Sequence, residues 1–468
     1  MYFRLKKDHE EIPYLLESAK DVSVSFLSAI DTMPVSKATP AFPQAVLPAE
    51  GMGGADTWAY FLKQYAPYLS ASAGPRYWGF VTGGVTPAAI TGDWLATAVD
   101  MNAADKSGVS YHIETETIAL LRNLLGLPTA FSGFFISGAT MSNFTGLAIG
   151  RQWVGMERGV DIGKAGLAAL GPIKVLSAAP HSSVLKALSM LGLGREAWVK
   201  IPALPDREAV DINALKAWLE TNEGPFIYVA NAGTVNTVDF DDIAALAALK
   251  QTHRFWLHVD AAFGGFAACS DTYRHLLSGW ELADSITIDA HKWLNVPYDS
   301  AMVFCRHPAL QSAVFQNAGA AYLGDPAKDF NFINYVPENS RRLRALPAWF
   351  SLMAYGAAGY RDIVENNIRL AQQLGQLIEK SKHFKLLAPV RLCVVCFTLD
   401  VPQAAHAETV QAFLEKLNAG GVVYMTATVY NGTPAIRAAL VNWRTVEEDV
   451  TVAFEEMEAV FETINVQA

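Results

Sequence analysis

The chain reads as an α/β fold on a largely parallel sheet, with a smaller α+β unit towards its C-terminal end. Three observations carry that reading. From about residue 75 to 305, short apolar runs alternate with helical patterns, the order expected of a parallel sheet covered by helices. Two of these runs, Trp256–Val259 and Ser285–Ile288, stop abruptly in charged or polar residues. Buried strands that present chemistry at their carboxyl edge end in this way. Beyond Pro347 the pattern changes to one long helix and then a further strand-and-helix segment.

Taken in order, residues 1 to about 30 predict a helix, with Ile12, Leu15, Leu16 and Ala19 at helical spacing. A Pro-, Gly- and Ala-rich passage from Thr32 to about Gly54 reads as an extended arm, too apolar to be a solvated tail. The strand candidates are Phe131–Ile136, Lys174–Ala178, Phe226–Ala230, Phe255–Val259, Ser285–Ile288 and Ala301–Phe304, with helical stretches such as Ile243–Lys250 between them. Segment 318–340 is rich in Ala, Gly, Asp and Asn with little periodicity, and reads as a long loop of the kind that forms lids. A long helix is expected from Pro347 to about Ser381, then a small unit containing the strand Val394–Leu399. The expected domains are an arm over 1–75, a large domain over 76–345 and a small one over 346–468.

Composition narrows the function. At 468 residues the chain is long enough for two or three domains, and with 51% apolar residues it can bury a large core. Its net charge of −10 is spread without like-charge blocks, which argues against nucleic acid as a partner. No apolar run reaches membrane-spanning length and the first residues lack a signal-peptide pattern, so a cytoplasmic protein without a membrane partner is expected. Cys393 and Cys396 have redox-motif spacing but lie in an apolar run without a second pair, and are read as core residues.

The chemistry sits at the strand ends. Lys292 follows the run Ser285–Ile288 and could form an imine with a carbonyl compound. Asp260 ends the neighbouring run, one strand–helix–strand step earlier, and could pair with a pyridinium nitrogen. Those two partners are what an enzyme supplies to pyridoxal phosphate. Ser137–Asn143 ends another strand and opens a helix, a setting for phosphate, with Thr140 and Ser142 offering hydroxyls. His181, at a further strand end, could stack on a cofactor ring.

The order and spacing of Gly138–Asn143, His181, Ala232-Gly233-Thr234, His258–Ala262 and Asp289–Lys292 resemble those of the group II pyridoxal-phosphate-dependent amino-acid decarboxylases. The resemblance runs from about residue 74 to about 445 and includes the aromatic-L-amino-acid branch. It implies a fold type I enzyme with a mostly parallel seven-stranded sheet. It implies Lys292 as the imine lysine, Asp260 as partner of the ring nitrogen, and Ala262 and His181 on opposite ring faces. Ala139, Thr140 and Asp289 would surround the phosphate, His291 would lie beside imine and phosphate, and Thr234 would be near the cofactor. Tyr322 matches the lid tyrosine that protonates the α-carbon after carbon dioxide leaves. A lid that reaches the partner subunit's site implies a homodimer with composite active sites.

Two departures limit what the resemblance implies, the first at the cofactor and the second at the substrate. Relatives carry two threonines where this chain has Thr234-Val235, and Asp100–Lys106 lacks the aromatic residue of the aromatic branch. Tyr77, Trp78 and Phe80 fall where that branch has substrate-facing aromatics, whereas Asn102 is polar. An aromatic amino acid is therefore expected first, and an acidic or diamino acid second. A carbon–carbon lyase or an aminotransferase using Arg341, Arg342 or Arg344 as a carboxylate clamp remains an alternative, as does a catalytically inactive binding protein. The three arginines are read instead as ties to nearby carboxylates.

Overall fold

The computed structural model describes residues 1–42, 44–104, 108–317, 330–402 and 406–464. Seven strands form the main sheet: β1 (Ser132–Ile136), β2 (Val175–Ser177), β3 (Trp198–Lys200), β4 (Phe226–Asn231), β5 (Phe255–Asp260), β6 (Ser285–Ile288) and β7 (Ala301–Cys305). Their order is β1-β7-β6-β5-β4-β2-β3. The stretch from β6 to β3 is parallel, and β7 runs against both β1 and β6. Strands β2 and β4 to β7 are buried at every position, which is why they appear as unbroken apolar runs and not as alternating ones. Strand β3 was not among the expected ones. It is three residues long and partly exposed, so its sequence carries no strand signal.

The helix Ala139–Glu157 lies tightly on this sheet. A Cβ at Gly146 would come within 2.5 Å of the His258 ring, and one at Gly150 within 2.8 Å of Trp256. Bare helix backbone at these two places brings the helix N-terminus down to the carboxyl edge of the sheet.

A second sheet contains β8 (Phe384–Leu386), β9 (Val394–Leu399), β10 (Thr426–Tyr430) and β11 (Thr433–Ala439), antiparallel throughout in the order β10-β11-β9-β8. Helices His406–Gly420 and Glu447–Glu462 pack with it around Phe397, Phe413, Val450 and Met457. The expected long helix spans Ala345–Lys380, broken at Gly356 (φ 58°, ψ −169°). At the other end, the single helix expected over 1–30 is two, Phe3–Glu10 and Ile12–Ala29, parted at Glu11. Another helix covers Gly54–Gln64, and the described residues between 34 and 53 have no helix or strand. All four cysteines are free and buried. Among the described residues no helix is long and apolar enough to cross a membrane.

Candidate active site

Strand register assembles the site. Asn231 and Asp260, the last residues of β4 and β5, stand side by side with Thr287, the penultimate residue of β6. The backbone after β6 is then clamped, because Asp289 N–H donates to Ala262 O and the N–H groups of Ala290 and His291 donate to Ser300 O. Gly83 packs against the Lys292 carbonyl so closely that a Cβ would lie 1.6 Å from its oxygen; only glycine fits there. At this edge opens a cavity of about 250 Å³. Of the residues expected at the site, Lys292, Asp260, His181, Ala262, Ala139, Thr234 and Phe80 line it.

Lys292 Nζ lies 3.4 Å from Asp289 Oδ2 and 5.4 Å from the centre of the Phe263 ring. Asp260, 7% exposed, accepts from Asn143 Nδ2 at 2.8 Å on one oxygen and from the Ala262 N–H at 3.2 Å on the other. His181 caps the helix Ser182–Met190, with Nδ1 2.8 Å from Ser183 Oγ. Burial lowers its pKa, opposed in part by the charge of Asp260. His291 is likewise lowered by burial against the pull of Asp289.

The phosphate end has its own signature. The helix Ala139–Glu157 begins after an extended Gly138 with no side-chain cap, leaving first-turn N–H groups to a ligand. His291 approaches this point, within 3.6 Å of where a Gly138 Cβ would be. Thr140 stands in the first turn, half-buried. Asp289 Oδ1 and His291 Nδ1 lie 3.2 Å apart without hydrogen-bond alignment, two buried polar atoms left over for a bound group. An uncapped helix terminus, a lysine and a buried carboxylate around one small cavity match the phosphate, carbonyl and ring nitrogen of pyridoxal phosphate.

Other expected residues lie elsewhere. Trp78 is a correction: its side chain is fully buried in the core of the C-terminal sheet, with Nε1–H on Pro75 O, and cannot face a substrate. Tyr77 stacks on Tyr424 with ring centres 4.6 Å apart and is not a lining residue. Asn102 accepts from the Arg341 N–H and is also absent from the lining. Tyr322 lies outside the described residues. The Thr234 hydroxyl donates to Glu208 Oε2. Arg341, Arg342 and Arg344 pair with Glu114, Asp93 and Asp299, as ties and not clamps.

Sequence reasoning missed Arg437. It projects from β11 into the cavity, 8% exposed, with Nη1 on Val235 O at 2.7 Å and Nε without a partner. A lone arginine inside the apolar run Thr433–Ala439 was the available signal. Also unforeseen were Phe263 and Asn231 in the lining, and Glu208, which accepts from Thr234, Asn236 and Thr237.

Residues 55–400 match the pyridoxal-dependent decarboxylase conserved domain. An aromatic-L-amino-acid decarboxylase of Bacillus atrophaeus is 29% identical over 84% of this chain and 82% of that protein. A cysteine sulfinic acid decarboxylase of Rattus norvegicus is 27% identical over 79% and 76%. In fold, the chain is similar to the crystal structure of Oryza sativa TDC with PLP and tryptamine, with a TM-score of 0.88 at 22% identity over 97% and 98% of the two chains. The family match covers most of the chain, and the site holds the groups its cofactor requires: the chain belongs to the pyridoxal-dependent decarboxylases and is an amino-acid decarboxylase that uses pyridoxal phosphate.

Proposed function

We propose that the chain converts an aromatic L-amino acid to its amine and carbon dioxide. The observation that carries this reading is the make-up of the cavity: apolar walls from Phe80, Val81 and Phe263, and one guanidinium, Arg437. With Lys292 committed to the cofactor, one guanidinium and an apolar wall suit a substrate with one carboxylate and an apolar side chain. Phe80 and Val81 adopt left-handed backbone (φ 54° and 59°), unusual for an aromatic and more so for a β-branched residue. Such a strained pair at the cavity supports a role in shaping it.

Bound here, pyridoxal phosphate supplies an electron sink for the pair left at the α-carbon when carbon dioxide departs. Lys292 would tether it, Asp260 would pair with its ring nitrogen, and Ala262 and His181 would hold its ring. The first-turn N–H groups after Gly138, Thr140 and His291 would hold the phosphate, with Asp289 beside His291 and Lys292. Arg437 anchors the substrate carboxylate, while Val235 O restrains the guanidinium. Fixing that group in a poorly solvated site selects which α-carbon bond breaks. Tyr322, on the segment expected to form the lid, delivers the proton to the α-carbon. We include in this reading a homodimer with composite sites.

A second reading is favoured by the same Arg437, which could instead take the side-chain acid of glutamate, aspartate or cysteine sulfinate. The test is a panel of the common L-amino acids with dihydroxyphenylalanine, diaminobutyrate and cysteine sulfinate, scored by carbon dioxide release. An aromatic amino acid is expected to be turned over best. Preference for an acidic one would replace the first reading by the second.

A further inference from the structure

Beneath the cavity runs a hydrogen-bonded chain whose middle members touch no ligand space. Trp256 Nε1–H donates to Ser285 Oγ at 3.0 Å. Ser285 Oγ lies 2.7 Å from His258 Nδ1, and His258 Nε2 lies 2.9 Å from Asn143 Oδ1. Asn143 Nδ2 then forks, to Asp260 Oδ2 at 2.8 Å and Ser183 Oγ at 3.0 Å. Ser183 Oγ reaches His181 Nδ1 at 2.8 Å, and the Ser183 N–H also donates to that nitrogen at 3.2 Å. Asn143, His258 and Ser285 are fully buried.

Chemistry gives the chain one direction. A carboxylate only accepts, so Asn143 must turn its NH₂ towards Asp260. Its carbonyl oxygen then needs a donor, which His258 Nε2–H supplies. A neutral His258 with its proton there has a bare Nδ1, filled by the Ser285 hydroxyl, whose oxygen receives Trp256 N–H. Burial lowers the His258 pKa to about 4, which keeps it in that neutral form. On the other arm, the second N–H of Asn143 occupies a lone pair of Ser183 Oγ. The Ser183 proton is thereby directed at His181 Nδ1, and the proton of His181 resides on Nε2.

We propose that Asn143 is a positioning residue for the decarboxylation: by donating to Asp260 and Ser183 together, it holds the Asp260 carboxylate in place and aims the Ser183 hydroxyl at His181 Nδ1. The proposal rests on Asp260 and His181 being the partners of the cofactor ring. It makes the residue under the ring nitrogen and the residue on the ring face one unit, set by a single buried amide. Networks of this kind have high stakes, because reversing one member leaves buried groups facing their own kind.

The first test needs neither cofactor nor substrate, so an error in the substrate reading leaves it intact. Ring ¹⁵N shifts of histidine are recorded on cofactor-free wild-type protein, with His181→Asn and His258→Asn used to assign the two signals. Both rings are expected to be Nε2–H with bare Nδ1. A proton on His258 Nδ1 would mean that the amide is reversed, and would overturn the proposal. Asn143→Asp then replaces the donor with a second acceptor at nearly the same shape. The expected result is pyridoxal phosphate bound at least about tenfold more weakly, the loss of a charge-assisted hydrogen bond, while the Ser183 N–H keeps His181 Nδ1 an acceptor. In the loaded enzyme kcat should fall at least about tenfold, while KM stays within about threefold. A folded Asn143→Asp protein with wild-type cofactor affinity and kcat would sink the idea. If that variant does not fold, the wild-type tautomers alone decide.

Discussion

At the residue scale, His258 carries a measurable cost. Burial drops its pKa from 6.5 to about 4, with the charge of Asp260 opposing, so the unfolded chain takes up its proton before the folded one does. Its stabilising contribution is therefore complete above pH 6.5, and is lost as pH falls towards 4, by on the order of 3 kcal/mol. Because burial raises the pKa of Asp241 to about 6 and opposes this trend, the decline should be read as the difference between wild type and His258→Gln in denaturant titrations from pH 7 to 4. At the proposed cofactor contacts, Lys292→Ala should keep the fold but lose turnover and visible absorbance. Asp260→Asn should still bind cofactor yet slow turnover by several orders of magnitude; near-wild-type kinetics would reduce Asp260 to a strand-end cap. For the proposed proton donor, Tyr322→Phe should divert product from amine to aldehyde, with oxygen consumed and ammonia released. Amine alone at the normal rate would point to another acid, His181 first. Lys292 and Asp260 were legible because apolar strands that stop in a charge leave a mark in one dimension. Arg437 was not, since its partner Val235 lies 202 residues away along the chain. Trp78 was misread for a related reason: in Tyr77-Trp78-Gly79-Phe80 nothing local tells which ring turns inward.

At the scale of elements, the helix Ala345–Lys380 depends on one residue. Gly356 has a positive φ with extended ψ, a combination essentially confined to glycine, and no atom lies within 4 Å of where its Cβ would be. Gly356→Ala should therefore cost about 1–3 kcal/mol through backbone strain alone, without a clash, and lower the melting temperature. An unchanged melting temperature would show that the bend can straighten at no cost. The break escaped the sequence reading because glycine within a helical pattern is tolerated often enough not to mark a bend. The long buried strands were legible from their apolar runs, whereas β3 was not: three half-exposed residues pair with β2 only because the rest of the sheet is already there.

At the scale of the molecule, the three N-terminal helices bury none of their residues within the chain. Phe3, Leu5, Tyr14, Leu16 and Val24 are all exposed. An apolar surface of this extent asks for a cover, and the proposed homodimer supplies one. Sedimentation at micromolar concentration should give a dimer; a fully active monomer would contradict it. One further consequence comes from the segment between Trp78 and Gly83. Trp78 is locked into the C-terminal sheet, its N–H on Tyr424 O and its carbonyl receiving Ala439 N–H. Phe80 stands at the cavity, and Gly83 rests on the carbonyl of Lys292. Mechanically this is a tether with its two anchors no more than about 18 Å apart even at full stretch. The C-terminal unit cannot swing wide of the lysine without tearing out one anchor. Any opening and closing that accompanies turnover must therefore be carried by segments that bypass this strap.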